Sequence, residues 1–309
     1  MKQNEYPYEG QLINSEQNRR NVRDAEALAE AMRAGTILEG RVFLCDNDKS
    51  LHVSVGPFKG VIPREECVYA QGNAYVKDIA IISRVGKPVC FRVTDLETDG
   101  EGNILPILSR KAAQRACMHE HIEKLLAGDV VDAKITHLDS FGAFADIGCG
   151  VVSLMPIDCM SVSRISHPRD RFSVGQVIRA VVKNPTDEFG RVTLTHRELL
   201  GTWEENAARF TVGQTADGII RSVESYGVFV ELTPNLAGLA EYRTDAEVGR
   251  HAAVYIKNII PEKMKLKLSI IDVCDGDSRL GDYVYPEVEH IDYWRYSPEC
   301  CEKLIESVF

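Results

Sequence analysis

Through the middle of the chain, apolar and polar residues alternate with a period of two in short runs rich in Val, Ile and Ala, and Gly, Asn, Asp and Pro separate the runs. That alternation is what strands with one buried face produce. It predicts strands near 130–138, 142–147, 151–155, 177–184 and 192–195. Five short strands within one such stretch predict a small closed barrel. Gly142 and Gly227 each follow an aromatic residue where a strand begins, the place at which a barrel corner needs a bulge or a sharp bend. Gly175 and Gly249 open the fourth strand of their respective segments.

The pattern repeats. Gly128-Asp-Val-Val-Asp-Ala-Lys-Ile-Thr-His-Leu-Asp-Ser-Phe-Gly-Ala-Phe-Ala-Asp146 aligns with Gly213-Gln-Thr-Ala-Asp-Gly-Ile-Ile-Arg-Ser-Val-Glu-Ser-Tyr-Gly-Val-Phe-Val-Glu231 at a constant offset of 85 residues. A weaker copy starts at Gly35 and continues through Leu51-His-Val-Ser-Val-Gly56. Such self-similarity marks a tandem array. Between the copies the period becomes helical: Ser109 to Leu126 is rich in helix formers and stops at Gly128, a second helix starts near Thr202, and an Ala-rich one runs from Ala25 to Arg33. The chain therefore divides into an N-terminal helical segment (1–33), a first barrel (34–111), a linker helix (112–127), a second barrel (128–198), a linker (199–209), a third barrel (210–272) and a C-terminal extension (273–309). The fold class is all-β modules with helical linkers.

Composition narrows the class. With 44% hydrophobic and 27% charged residues the chain is an ordinary globular one, not a disordered or collagen-like chain. No apolar run approaches the ~20 residues of a spanning helix, and Met1 to Gly10 has no apolar leader, so a cytoplasmic location without membrane contact is expected. The nine cysteines are odd in number and contain no Cys-x-x-Cys pair, which indicates neither a disulfide framework nor a zinc ribbon. The eight histidines show no metal-ligand spacing; His119 and His121 are two apart and would face different sides of a helix. No phosphate loop, nucleophile elbow or paired carboxylates stand out, so neither an enzyme nor a cofactor is expected. The net charge of −10 argues at first against a nucleic-acid partner, but residues 273–309 carry −6 of it and residues 34–272 only −3.

These motifs resemble the S1 RNA-binding module, a five-stranded oligonucleotide-binding (OB) barrel. The resemblance rests on the Gly-x-Val-type first strand, Phe141-Gly-Ala-Phe-Ala-Asp146, the segment Ser166-His-Pro-Arg-Asp-Arg-Phe172 and Val174-Gly175, and it recurs less completely in the other two copies. Three tandem copies with helical linkers look like the short bacterial members of the ribosomal S1 family. The resemblance implies a binder of single-stranded RNA, messenger RNA in particular, on the small (30S) ribosomal subunit. The physical basis stands apart from the family: unstacked bases lie on exposed aromatic rings while basic side chains follow the backbone. In the second barrel the platforms expected are Phe141 and Phe144, with Lys134, Arg191 and His137 beside them. In the third they are Tyr226 and Phe229, with Arg221, Lys257 and Lys265. The bland alternative is that one ring of each pair fills the barrel.

Departures from the family pattern are informative. The motif histidine of the third strand is Pro63, Pro156 and Glu241 in the three copies. Glu241 would repel phosphate unless Tyr242 offsets it by stacking. The third copy is short between strands three and four and lacks the His167-Pro-Arg-Asp-Arg171 loop. In the first copy Asp48-Lys-Ser-Leu-His52 stands where the aromatic pair should be, leaving Leu51 and His52 as poor stacking surfaces, while Gly60-Val-Ile-Pro-Arg-Glu65 resembles the N-terminal modules that dock onto ribosomal proteins. A spacer barrel is the equal alternative.

The extension from Asp272 is acidic yet aromatic: Tyr283, Tyr285, Tyr293, Trp294 and Tyr296 interleave with Asp282, Glu287, Glu289 and Asp292. Ser297 and Pro298 read as the start of a short helix with Cys301, Leu304, Ile305 and Val308 on one side. The extension is expected to fold back onto the third barrel, the alternative being a docking segment for a basic protein. Two rival readings of the whole chain stay open: a protein-docking scaffold, and the RNA-binding subunit of an RNA-decay or processing complex.

Overall fold

A computed structural model describes residues 6–70, 76–276 and 283–309; Asp282 lies outside the described residues. Strands β1 (Leu38–Cys45), β2 (Leu51–Val55), β3 (Phe58–Ile62), β4 (Pro88–Thr98) and β5 (Ile104–Ser109) close a first barrel in the order β1-β2-β3-β5-β4. The second barrel is built from β6 (Val130–Asp139), β7 (Gly142–Asp146), β8 (Val152–Pro156), β9 (Val177–Asn184) and β10 (Thr193–Thr195). The third consists of β11 (Thr215–Glu224), β12 (Gly227–Thr233), β13 (Leu236–Ala240), β14 (His251–Ile260) and β15 (Lys265–Cys274). In every barrel the third strand pairs in parallel with the fifth: Val61 with Ile107, Leu154 with Thr193, Leu239 with Lys267. All three are therefore one topology, the tandem OB fold, and the strands of the second fall where its alternation places them.

The cores follow the pleat. On β7, Ala143 and Ala145 point into the barrel and Phe144 points out. The small interior residues leave room for Ile135, Met155, Ile178 and Leu194 from the other walls. Outside the barrels lie helices α1 (Glu16–Asn21), α2 (Ala25–Ala34), α3 (Asp78–Ile82), α4 (Arg110–Glu120) and α5 (Trp203–Ala207), short 3-10 turns and a two-stranded C-terminal hairpin. Ser109 caps α4 by accepting from the Ala112 amide at 2.8 Å, and Thr202 with Glu205 forms a capping box on α5. The α4 helix is shorter than the sequence predicts: it ends at Glu120 and passes into a 3-10 turn, Ile122–Lys124.

The described chain forms two compact units. The first contains the first barrel, α1 to α4 and the segments 146–153 and 186–191. Its N-terminal stretch is tied down by Glu39, whose carboxylate accepts the amides of Gly10, Leu12 and Ile13 at 2.7, 2.9 and 2.7 Å. Glu9 accepts from the Arg110 guanidinium at 2.6 Å and donates its own amide to Asp146. Burial raises the Asp146 carboxyl to about 7, and the neighbouring Glu9 pushes it the same way.

The second unit contains the rest of the second barrel, the third barrel and the C-terminal extension. Arg171, on the loop that the third copy lacks, pairs with Glu231 of β12 at 2.7 Å, with both side chains out of solvent. Arg221 of β11 reaches the same carboxylate at 2.8 Å. Asn235 accepts the Val162 amide and donates to the carbonyls of Arg197 and Gly201.

The extension folds back as expected, and onto the second barrel as well as the third. Tyr285 lies 2.9 Å from the ring of His196, Tyr283 donates to the Arg171 carbonyl, and His290 pairs with Asp129 at 2.7 Å. Trp294 and Tyr296 enter the third core. The short helix expected after Ser297 is absent. Instead β16 (Tyr293–Arg295) pairs with β17 (Glu306–Val308), and Ser297 accepts the Ile305 amide at 2.8 Å. Its hydroxyl closes a hairpin loop where the sequence suggests a helix cap.

Candidate nucleic-acid interface

In the second barrel Phe141 occupies the tight turn between β6 and β7 and is 52% exposed. Phe144, further along β7, stands half-buried beside it with ring centroids 5.8 Å apart at 89°. The exposed His137 continues the row, 6.0 Å from Phe144. The turn depends on Gly142: a Cβ there would come within 2.6 Å of the Met155 carbonyl, so only glycine lets β7 run this close to β8. The third barrel repeats the device. Tyr226, 68% exposed, and Phe229 lie 6.2 Å apart at 88°, and a Cβ on Gly227 would approach the Ala240 carbonyl to 2.4 Å. Edge-to-face pairs of this kind hold each other in place while the outer ring keeps a free face.

The cations divide into groups. Lys134 is on β6 opposite Val177, its neighbours Ala133 and Ile135 facing inward. Arg191 belongs to the first unit, where it pairs with Asp187 at 2.8 Å and covers the Phe189 ring at 4.7 Å; the structure does not group it with Phe141 and Phe144. Arg221 is committed to Glu231, with its side chain almost fully buried. Lys257 pairs with Glu241 at 2.8 Å, and this hydrogen bond holds the Glu241 carboxyl below the usual carboxylate range. The repulsion expected from Glu241 is thus answered by a lysine rather than by Tyr242.

The third barrel gathers the rest. Tyr226, Phe229, Arg221, Lys257 and Lys265 line one open groove of about 900 Å³ in the second unit. Three lysines that the sequence reading left aside, Lys263, Lys267 and Lys303, line it too, with Arg164. Lys263, Lys265 and Lys267 alternate on the turn into β15 and along it, with Leu266 buried between the last two and Leu268 buried after them; that Lys-x-Lys-x-Lys spacing was the available signal.

In the first barrel one expectation is corrected. Leu51 is fully buried in the core, so it offers no surface at all. The copy is not devoid of aromatic surface either: Phe43 of β1, 45% exposed, lies 6.1 Å from the His52 ring. Leu44 opposes His52 as Ser222 opposes Phe229, which puts His52 in the place of the second platform ring. The aromatic partner moved from the turn to the strand, so a search for Phe-Gly-x-Phe passes over it. His52 is anchored by Asp46 at 3.0 Å, and that hydrogen bond lowers the Asp46 carboxyl.

The family model of the S1 RNA binding domain matches residues 124–197. The small ribosomal subunit protein bS1 of Staphylococcus aureus (strain COL) is 29% identical over 212 residues, 63% of this chain and 53% of the relative. That of Staphylococcus haemolyticus is 29% identical over 277 residues, 84% of this chain and 68% of the relative. A small ribosomal subunit protein bS1 homolog of Bacillus subtilis is 26% identical over 218 residues, 68% and 56%. The chain thus spans about half the length of several curated relatives it matches.

Proposed function

Since residues 124–197 place this chain among the proteins that carry an S1 RNA-binding domain, we propose that it is a non-catalytic binder of single-stranded RNA that holds messenger RNA at the small ribosomal subunit. The observation that carries the reading is the edge-to-face aromatic pair repeated 85 residues apart, Phe141 with Phe144 and Tyr226 with Phe229, the second beside a lysine-lined groove. Stacking is available to every base, and phosphate contacts release counterions, so binding is sequence-tolerant and weakens with salt. The likeness to bS1 proteins supports the ribosomal assignment. The first barrel, with Phe43 and Leu44 exposed, is assigned to docking on ribosomal proteins.

Fluorescence anisotropy with labelled single-stranded RNA, duplex RNA and single-stranded DNA tests the reading. Tightest binding to a single strand, weakening as salt rises, is expected; no binding of single-stranded RNA at low salt sinks it. Co-sedimentation with purified 30S subunits tests the ribosomal part separately.

A further inference from the structure

The groove of the third barrel has two chemically different ends. β13 runs antiparallel to β12 and parallel to β15, so Ala240 sits beside Val228 and Leu268 at one end, and Leu236 sits beside Thr233 at the other. The first end carries Tyr226, Phe229 and the Lys257–Glu241 pair. The second does not belong to the barrel alone. Loop residues 162–164 of the second barrel are held there by the Val162 amide on Asn235 and the Ser163 amide on the Pro234 carbonyl. From the C-terminal hairpin, Tyr296 donates to the Asn235 carbonyl and Ile305 packs on the third core.

These two additions bring Arg164 and Lys303 to the groove beside Lys263 and Lys265. All four are exposed, and none makes an ion pair among the described residues. This differs from Lys257 and Arg221, whose charges are answered within the protein. Unanswered cations on the wall of a groove whose other end is aromatic are what a polyanion leaving a stacking platform would meet.

We propose that the third barrel's RNA site is a composite one, in which the strand stacks on Tyr226 and Phe229 and its phosphates continue onto a cationic end that Arg164 of the second barrel and Lys303 of the C-terminal hairpin complete. This rests on the RNA-binding reading above. It gives the acidic extension a function beyond covering the barrels: it delivers a lysine to the interface.

The test is the salt dependence of binding of the full chain to an RNA oligonucleotide of about twelve residues, within the range OB folds cover. Taking away one cation that neutralises a phosphate of a single strand makes the slope of log K against log salt shallower by about 0.7. Arg164→Ala with Lys303→Ala is expected to make it shallower by about 1.4. The control is Arg209→Ala with Arg250→Ala, which removes the same charge from exposed or half-exposed residues of the same unit that do not line the groove; it should leave the slope unchanged. An unchanged slope in the first variant, or equal shifts in both, overturns the composite site while leaving RNA binding intact. If the unaltered protein binds no single-stranded RNA, the functional reading itself fails.

Discussion

Phe141 and Leu51 show how differently an apolar side chain behaves in a barrel turn and on the inner face of a barrel strand. Phe141 stands in a turn with half its surface in water, whereas Leu51 is in the first core. Phe141→Ala with Phe144→Ala should therefore weaken binding of single-stranded RNA by about 1–3 kcal/mol for each base that loses its platform, with little change in melting temperature. Leu51→Ala should do the reverse, costing roughly 2–5 kcal/mol of stability through the cavity it leaves, without touching a binding surface. Anisotropy and thermal unfolding on the same two variants check the pair. Residue types at fixed spacing made the paired rings of the second and third barrels legible. The Phe43–His52 pair was not, because its rings sit on paired strands and only strand pairing brings them together. A cross-strand neighbour of that kind depends on register, which sequence spacing does not report. Arg221 shows a related effect: its type suggested a phosphate partner, but Glu231 of the neighbouring strand, in register with Ile219, takes its charge.

At the scale of elements, the strands of the second barrel were readable because each keeps a period of two over part of its length, as at Ala133 and Ile135 on β6, Ala143 and Ala145 on β7, and Ile178 and Ala180 on β9. The C-terminal extension was not readable in the same way. Ser-Pro followed by spaced apolar residues is a fair helix start, yet the Trp294 and Tyr296 side chains bury in the third core, and the segment satisfies its backbone by pairing β16 with β17. Tertiary burial outweighs a helix of about three turns, which has little stability of its own. The extension is also held by His290, whose imidazole is raised above its ordinary value chiefly by the hydrogen bond to Asp129, with Asp292 adding to it. A folded-state pKa above the unfolded one means that this pairing contributes fully below the unfolded value of ~6.5 and fades as pH rises through the elevated one. Proteolytic cutting of the extension should accordingly become faster across that window in the unaltered protein and be flat with pH in His290→Ala. A profile of the opposite slope would mean that the imidazole is not the group holding it.

Linkers between modules are commonly spacers, and the sequence invites a picture of barrels strung along one RNA strand, in which each gains from the effective concentration of the others. The second unit departs from that picture. Arg171, Glu231 and Arg221 form a buried triad between the second and third barrels, and the Asn235 hydrogen bonds and the extension reinforce it, so most of the second barrel and the third lie in one compact unit. A buried triad need not stabilise more than apolar packing would, but removing one member leaves charges without partners, typically at a cost of about 3–5 kcal/mol. Glu231→Gln leaves the Arg171 guanidinium without a carboxylate and Arg221 with Asp170 alone, at 3.8 Å, and should lower the unfolding midpoint of the second unit sharply. The chain offers a clean probe for this: its two tryptophans, Trp203 and Trp294, both lie in the third core, so tryptophan fluorescence reports the second unit alone. The fluorescence midpoint is expected to drop in Glu231→Gln, while hydrogen exchange of first-barrel amides such as those of β1 and β2 stays as it was. If the triad also presets the path of the strand, a milder break, Arg171→Met, should reduce affinity for a long single-stranded RNA that engages both aromatic pairs more than for a short one that reaches a single platform. Equal losses on both lengths would mean that the two barrels bind RNA independently despite the triad that joins them.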